Sequence, residues 1–324
     1  MNLLDSTIND NYSGGVADLI STNSSVINST IDGNQQVIGQ FSDNCGVLNS
    51  IRSLGFEMRN SSISNNNLPV RAAVDLWVTN MATIENSAIS GNTAQAAGGM
   101  IIYDYNRKLL NQISHTTVNN NEGYGSGGVY VTAQQSGVLA ISHTITSGNT
   151  QLVPSPGPSL NPSVVSGQLL SQQDFSEVGQ GAIVNVGGAT PNDLYGTAYV
   201  PMDSFKVIDQ NGDGDTAGGV LLGPGDTIPP GATSTVIDGL ADNGGDSQTH
   251  MPVEGGLAVD GGTPFNYLPH EDQNYRIRPW DGDGDTTEVC DVGAVEFRSV
   301  TESDLIFKDG FQATILIRRT LVKN

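Results

Sequence analysis

Two stretches carry oxygen-bearing side chains at a spacing that can wrap a cation. In "DQNGDGD", Asp209, Asn211, Asp213 and Asp215 alternate along the chain. Donors at every second position, with a glycine at the sharp turn, are what a calcium loop uses to surround a hard ion. Gly214 fills the turn, but the twelfth position is Val220, which has no carboxylate to offer. "DGDGDTTE" presents Asp281, Asp283 and Asp285 likewise, with Glu288 or Asp291 as later ligands and Thr286 where the turn glycine belongs. The expected ion is Ca2+, bound weakly, on the order of 10⁻⁴ to 10⁻³ M, and stiffening the chain rather than signalling. The competing reading of each stretch is a soluble Asp/Gly turn without an ion.

Catalytic arrangements are harder to assemble. A glycoside hydrolase needs two carboxyls across a cleft, and a polysaccharide lyase needs a positioned Arg or Lys base beside calcium-binding acids. Asp5, Asp32, Glu57, Asp75, Glu85, Asp104 and Glu122 are scattered, and no two converge on one position of the repeat described below. Before the tail, basic residues cluster only at Arg107-Lys108 and Arg276 to Arg278, and Arg276 or Arg278 is expected to pair with Asp272 or Glu296. No Ser-His-Asp set, phosphate loop or CxxC pair is present, so no catalytic residue is assigned. His115 and His143 recur at one repeat position without a third ligand to match, and are expected to form a solvated polar ladder on the outer face. Tyr103 and Tyr130, each after a glycine pair, are expected to stack on one another.

The elements that must position these groups come from a repeat. Six copies share one pattern: an apolar residue, Ser or Thr three positions on, an aliphatic residue two further, and Asn three after that. They are "LLDSTINDN", "VINSTIDGN", "MRNSSISNN", "IENSAISGN", "ISHTTVNNN" and "ISHTITSGN", closing at Asn11, Asn34, Asn66, Asn92, Asn121 and Asn149. A period in the twenties points to a solenoid. Within a copy the Ser/Thr and the aliphatic residue two places on share one face of an extended chain, and β-branched residues dominate. Neither regular leucines nor a 3.6-residue period is present, which leaves an all-β chain, a single-stranded parallel β-helix. Its closing asparagines are expected to form an amide ladder from copy to copy, at the ordinary interstrand spacing of ~4.8 Å. Glycine pairs, as in "GGMIIY" and "GGVYVT", are expected to bend the backbone between sheets. In the sixth copy Thr146 takes the aliphatic position and Ile145 stands one place early, which predicts a bulge or register change.

Composition agrees. The 324 residues are rich in Gly, with 6% aromatic and 15% charged residues, and carry a formal net charge of −21. Such a surface repels nucleic acid and suits cations. Of 34 acidic residues, 21 lie between Asp203 and Asp309, which places the acidity in the C-terminal third. Cys45 and Cys290 are expected as separate thiols. No apolar run reaches the ~20 residues of a membrane-spanning helix. The chain opens inside the repeat, so the natural start and any secretion signal are expected upstream.

Four C-terminal stretches occur in a telling order: "LADNGGDSQTH" (Leu240 to His250), "LAVDGG" (Leu257 to Gly262), "EDQNYRIRP" (Glu271 to Pro279) and "CDVGAVE" (Cys290 to Glu296). Together with the Asn-terminated repeats, over about residues 1 to 300, the chain resembles bacterial choice-of-anchor Q domain proteins, whose repeats are similar to those of polymorphic outer-membrane proteins. Asn274-Tyr275 departs from that pattern, in which a glycine follows the Asp-Gln pair. The resemblance implies a right-handed parallel β-helix, secreted or at the cell surface, and supplies no catalytic residues. The expected organisation is regular coils over 1–165, irregular final coils over 166–238, a signature and capping region over 239–300, and a tail over 301–324. A monomeric, non-catalytic protein that serves as a stalk or binds a glycan or a host or neighbour-cell surface protein is the expected function. A polysaccharide lyase or glycoside hydrolase on the same scaffold is the alternative.

Overall fold

The computed structural model of the protein describes residues 2–11, 17–18, 23–35, 47–67, 72–94, 97–104, 110–123, 127–133, 138–151, 190–191, 194–196, 199–200, 206–209, 226–262 and 269–299. The copies of the repeat lie side by side as parallel strands in register. Their apolar residues pair as Leu3↔Val26, Val26↔Met58, Met58↔Ile84, Ile84↔Ile113 and Ile113↔Ile141. The aliphatic row after the Ser/Thr pairs just as strictly, from Ile8 through Ile31, Ile63, Ile89 and Val118 to Thr146. A third row, Leu48, Val74, Met100, Val129 and Leu194, continues from strand to strand ahead of the repeat motif. Over the described residues the chain is thus all-β and mostly parallel, with 17 strands in one hydrogen-bonded set and four in another. Among the described residues the only helical element is the 3-10 turn Thr233–Thr235. None is a helix long and apolar enough to cross a membrane.

The rows meet in one apolar core, in which Val26, Ile31, Met58, Ile63, Ile84 and Ile89 are fully buried. Side chains alternate across a strand, so the inward residues stack copy on copy. The closing asparagines form the expected ladder. Asn34 donates its N–H and Nδ2 to Asn66 Oδ1 at 3.0 and 2.8 Å, and Asn66 donates to Asn92 Oδ1 at 3.1 and 2.9 Å. Asn92 and Asn121 continue the run to Asn149. The second Nδ2 hydrogen goes to the aliphatic carbonyl one copy back, as from Asn92 to Ile63 O at 2.9 Å. A buried amide without partners would cost about 1–3 kcal/mol, and the ladder removes that cost at every rung. A second row satisfies itself similarly: the Ser29, Ser61 and Ser87 hydroxyls donate to the carbonyl two residues back and accept the Ser/Thr-position N–H of the preceding copy.

Three expectations change. No bulge marks the sixth copy, where Thr117↔Ile145 and Val118↔Thr146 keep register. Register intact turns Ile145 outward, and it is buried there against Val236, Ile237, Ala258 and Val292 of the C-terminal region. The pairing also goes one strand further than the six copies, with Thr144 to Ser147 opposite Lys206 to Asp209. At the first glycine pair the register shifts between Ala97 and Met100, in keeping with a local backbone irregularity, and the glycines also permit close approach: a Cβ on Gly98 would fall 2.4 Å from Glu122 N, and one on Gly127 2.2 Å from Thr150 N. Tyr130 stands opposite Ile101 and Tyr195, while Tyr103 faces Thr132, so the two tyrosines are not paired.

The third correction concerns the capping region. Instead of sealing an end, Thr233 to Gly262 and Pro269 to Ser299 lie along the flank of copies 2 to 6. Thr30 Oγ1 donates to Asp246 O at 3.3 Å, and Ser247 Oγ to Asn60 O at 3.1 Å. Asn86 Nδ2 donates to Glu271 O at 2.7 Å, and His250 Nε2 lies 3.0 Å from Ser90 Oγ. At the far end Gly293 N donates to His143 O at 2.8 Å, and Thr233 bonds Ser147 through their hydroxyls. The small polar residues on the outward face of each second strand give these contacts without steric conflict.

Candidate metal centre

The C-terminal region has little regular structure, so buried charges organise it. Asp272 Oδ1 accepts the N–H groups of Asn274 and Arg276, both at 2.8 Å, and its Oδ2 accepts that of Glu296 at 2.8 Å. Glu296 accepts from Trp280 N at 3.0 Å and pairs with Arg278 Nε at 3.0 Å, where both side chains are buried. The expected Arg278–Glu296 pair is therefore present. Asp291 accepts from Asp260 N at 2.7 Å and Phe297 N at 2.5 Å. Burial pushes the carboxyls of Asp272, Asp291 and Glu296 upward, and the Arg278 guanidinium pulls them part of the way back. Burial likewise raises the thiol of Cys290, a free cysteine, well above its usual range, which disfavours the thiolate.

That framework aims Asp260 at the second acidic loop. Asp260 Oδ2 accepts Asp283 N at 2.8 Å, and Asp260, Asp281 and Asp283 bring one carboxylate oxygen each within 4.8 Å of one another. Asp281 shapes the loop, accepting Gly284 N at 2.7 Å and Thr286 N at 2.9 Å. Thr286, at the turn position, holds φ at 79°, the left-handed region where glycine would be at ease. Burial raises the Asp260 carboxyl, and Asp283 and Asp281 add to this, against the pull of the N–H groups of Asp283 and Gly282. A cation between the three carboxylates would reverse the repulsive part. The donor set is all oxygen and partly exposed, which fits a hard ion such as Ca2+ completing its shell with water.

The residues read from the second acidic loop are all described. Asp281 and Asp283 converge. Asp285 does not join them; its Oδ1 accepts Thr287 N at 2.7 Å and its own N–H caps Asp283. Asp291 is turned inward to hold Asp260 and Phe297, so it is not a later ligand, and Glu288 is exposed outside the cluster. Asp260 was missed because it stands apart from the alternating spacing; its one signal was its place in "LAVDGG". In the first loop Asp209 ends the strand Lys206–Asp209, while Asn211, Asp213 and Asp215 lie outside the described residues, as do Cys45 and Arg107-Lys108.

The histidine expectation is half overturned. The rings of His115 and His143 stack, with centroids 4.5 Å apart and 13° between planes, and both residues take the left-handed conformation at φ 46°. They are buried, not solvated, because the C-terminal region covers them: a Cβ on Gly262 would fall 2.8 Å from His143 Cδ2. Burial foremost, then Arg278, lowers both imidazoles, His143 to about 4, so both are neutral at physiological pH. No family model, curated protein or solved structure matches the chain.

Proposed function

We propose that this chain is a right-handed parallel β-helix of a secreted or cell-surface bacterial protein of the choice-of-anchor Q kind, a non-catalytic rigid stalk or binding face. Its partner is a glycan or a surface protein of a host or neighbouring cell. A structural Ca2+ at Asp260, Asp281 and Asp283 stiffens the flanking region.

The observation that carries the non-catalytic reading is the use made of the buried acids. Asp272, Asp291 and Glu296 all accept backbone N–H groups or Arg278 within the C-terminal region. A hydrolase would hold two carboxyls ready for substrate across a cleft, whereas these three are committed to structure. A flank hydrogen-bonded to copies 2, 3, 4 and 6 also suits a stalk, since bending would break many polar contacts together.

The test is incubation with a panel of plant and bacterial polysaccharides, with calcium and with chelator, following both retention and chain cleavage. Retention without cleavage is expected, lost when charges are introduced on one face. Calcium-dependent cleavage would overturn the proposal in favour of a lyase.

A further inference from the structure

Three of the four histidines, His115, His143 and His250, are buried, and all three lie in the seam between the coils and the C-terminal flank, whereas His270 is exposed. His115 and His143 belong to copies 5 and 6. The flank closes on them where a Cβ on Gly262 would meet the His143 ring at 2.8 Å and where Gly293 N donates to His143 O at 2.8 Å. His250 comes from the flank and meets copy 4, its Nδ1 2.8 Å from Asp238 O and its Nε2 3.0 Å from Ser90 Oγ. The other polar contacts across the seam use hydroxyls, amides and carbonyls, as from Thr30 to Asp246 O, from Ser247 to Asn60 O and from Gln273 Nε2 to Ser61 O. Those contacts keep their charge between neutral and mildly acidic pH, and imidazoles do not.

The seam has no place for the extra charge. Neither ring nitrogen of His115 has a hydrogen-bond partner among the described residues, so an imidazolium there would bury two N–H donors unpaired. Its ring is stacked on that of His143, and the Arg278 guanidinium bears on both rings where no carboxylate does. Burial opposes a charge on His250, against the pull of the Asp238 carbonyl. The carboxyls of Asp272, Asp291 and Glu296 stand around Arg278, but they accept from Arg278 and from backbone N–H groups of the flank itself, which move with it. Lifting the flank therefore gives the imidazoles to water and leaves those bonds in place.

We propose that the seam is a pH-operated latch: in acid His115, His143 and His250 take up protons and the flank lifts off copies 4 to 6, while the coils keep their pairing. Release bares the polar outward face of the second strands at Ser90, Thr117 and Ser147, which is buried beneath the flank near neutrality. The docked flank binds fewer protons at its histidines than the released one, so docking weakens as pH falls below 6.5. His143 alone weakens it about tenfold per pH unit from there toward about 4.

The test is hydrogen exchange of the whole chain at pH 7 and pH 4.5, each amide read as its protection relative to an unstructured peptide at the same pH. Gly293 N, which donates across the seam to His143 O, reports the latch, and Asn66 N and Asn92 N, which donate along the asparagine ladder, report the coils. Protection at Gly293 is expected to fall about a hundredfold or more at pH 4.5, with Asn66 and Asn92 changing less than about threefold. The His115→Asn, His143→Asn double variant is expected to keep most of the Gly293 protection in acid. Unchanged Gly293 protection in the parent overturns the latch, as does a loss at Gly293 shared equally by Asn66 and Asn92, which is unfolding and not release. A fall as large in the double variant assigns the release to other groups and overturns it too. Should the double variant fail to protect its ladder at pH 7, His143→Asn alone decides, and a Gly293 fall equal to the parent's overturns the proposal.

Discussion

The imidazole of His143 lies flat against that of His115, 4.5 Å between centroids, beneath a segment that returns from the far end of the sequence. Two cations cannot occupy that stack beside Arg278. Both histidines have folded pKa values below 6.5, so they contribute stability that is complete above that pH and is lost as pH falls toward about 4. Asp291 and Glu296, raised by burial, act the opposite way: their contribution is present at low pH and fades as pH rises through their folded values. The histidine part is isolated by replacing both rings with asparagine, which holds the same left-handed position at Asn28, Asn60 and Asn86. Thermal melts from pH 4 to 7.5 should show a shallower acid-side fall in the His115→Asn, His143→Asn double variant. Parallel curves for variant and parent would mean that the stack is not buried in solution.

Arg278 is the one cation facing the buried carboxyls of Asp272, Asp291 and Glu296 among the described residues. Removing one partner of a buried pair leaves an uncompensated charge, at a cost of about 3–5 kcal/mol. Arg278→Met should therefore destabilise the chain by that amount in urea denaturation. Adding Glu296→Gln should restore much of the loss, because the amide oxygen still accepts the Trp280 N–H. A single variant as stable as the parent would show that the pair contributes nothing.

Asn92 sits mid-ladder, where its Oδ1 takes two hydrogens from Asn66 and its Nδ2 feeds Asn121. Asn92→Ala strands both Asn66 donors in the interior and should cost about 2 kcal/mol or more. Asn11→Ala, at the exposed start of the row, should cost less than about 1 kcal/mol. Equal losses in chemical denaturation would mean the ladder is not cooperative with burial.

The repeat was legible because each copy solves the same local problem with the same residues: an inward aliphatic, a hydroxyl to cap the turn, an amide to bond its own kind. Pairing register followed, since Ile8 to Val118 could face inward only together. What covers the flank was not legible. His115 and His143 looked like surface residues because the same repeat position holds Asp5, Asn28, Asn60 and Asn86 in the other copies, and Ile145 looked like a register fault because the residues that bury it, Val236 and Val292, are distant. Asp260 was hidden for the same reason: alternation marks ligands within one loop and says nothing of a carboxylate brought from another.

Calcium binding at Asp260, Asp281 and Asp283 makes the most selective prediction of this geometry. At free calcium ten times the Kd, linkage adds about 1.4 kcal/mol, enough to raise the melting temperature measurably. Asp260→Asn keeps an oxygen for the Asp283 N–H, gives up the longer 3.4 Å bond from Gly282 N and removes a charge; it should abolish the calcium-induced rise, read as the difference between its own melts in calcium and in chelator. Asp285→Asn should preserve the rise, because Asp285 lies outside the cluster. Acidification should weaken binding earlier than for ordinary carboxylates, since the Asp260 carboxyl is raised and a proton there competes with the ion. Should Asp260→Asn respond to calcium as the parent does, or Asp285→Asn lose the response, the ion sits in the loop alone and Asp260 serves only to anchor it.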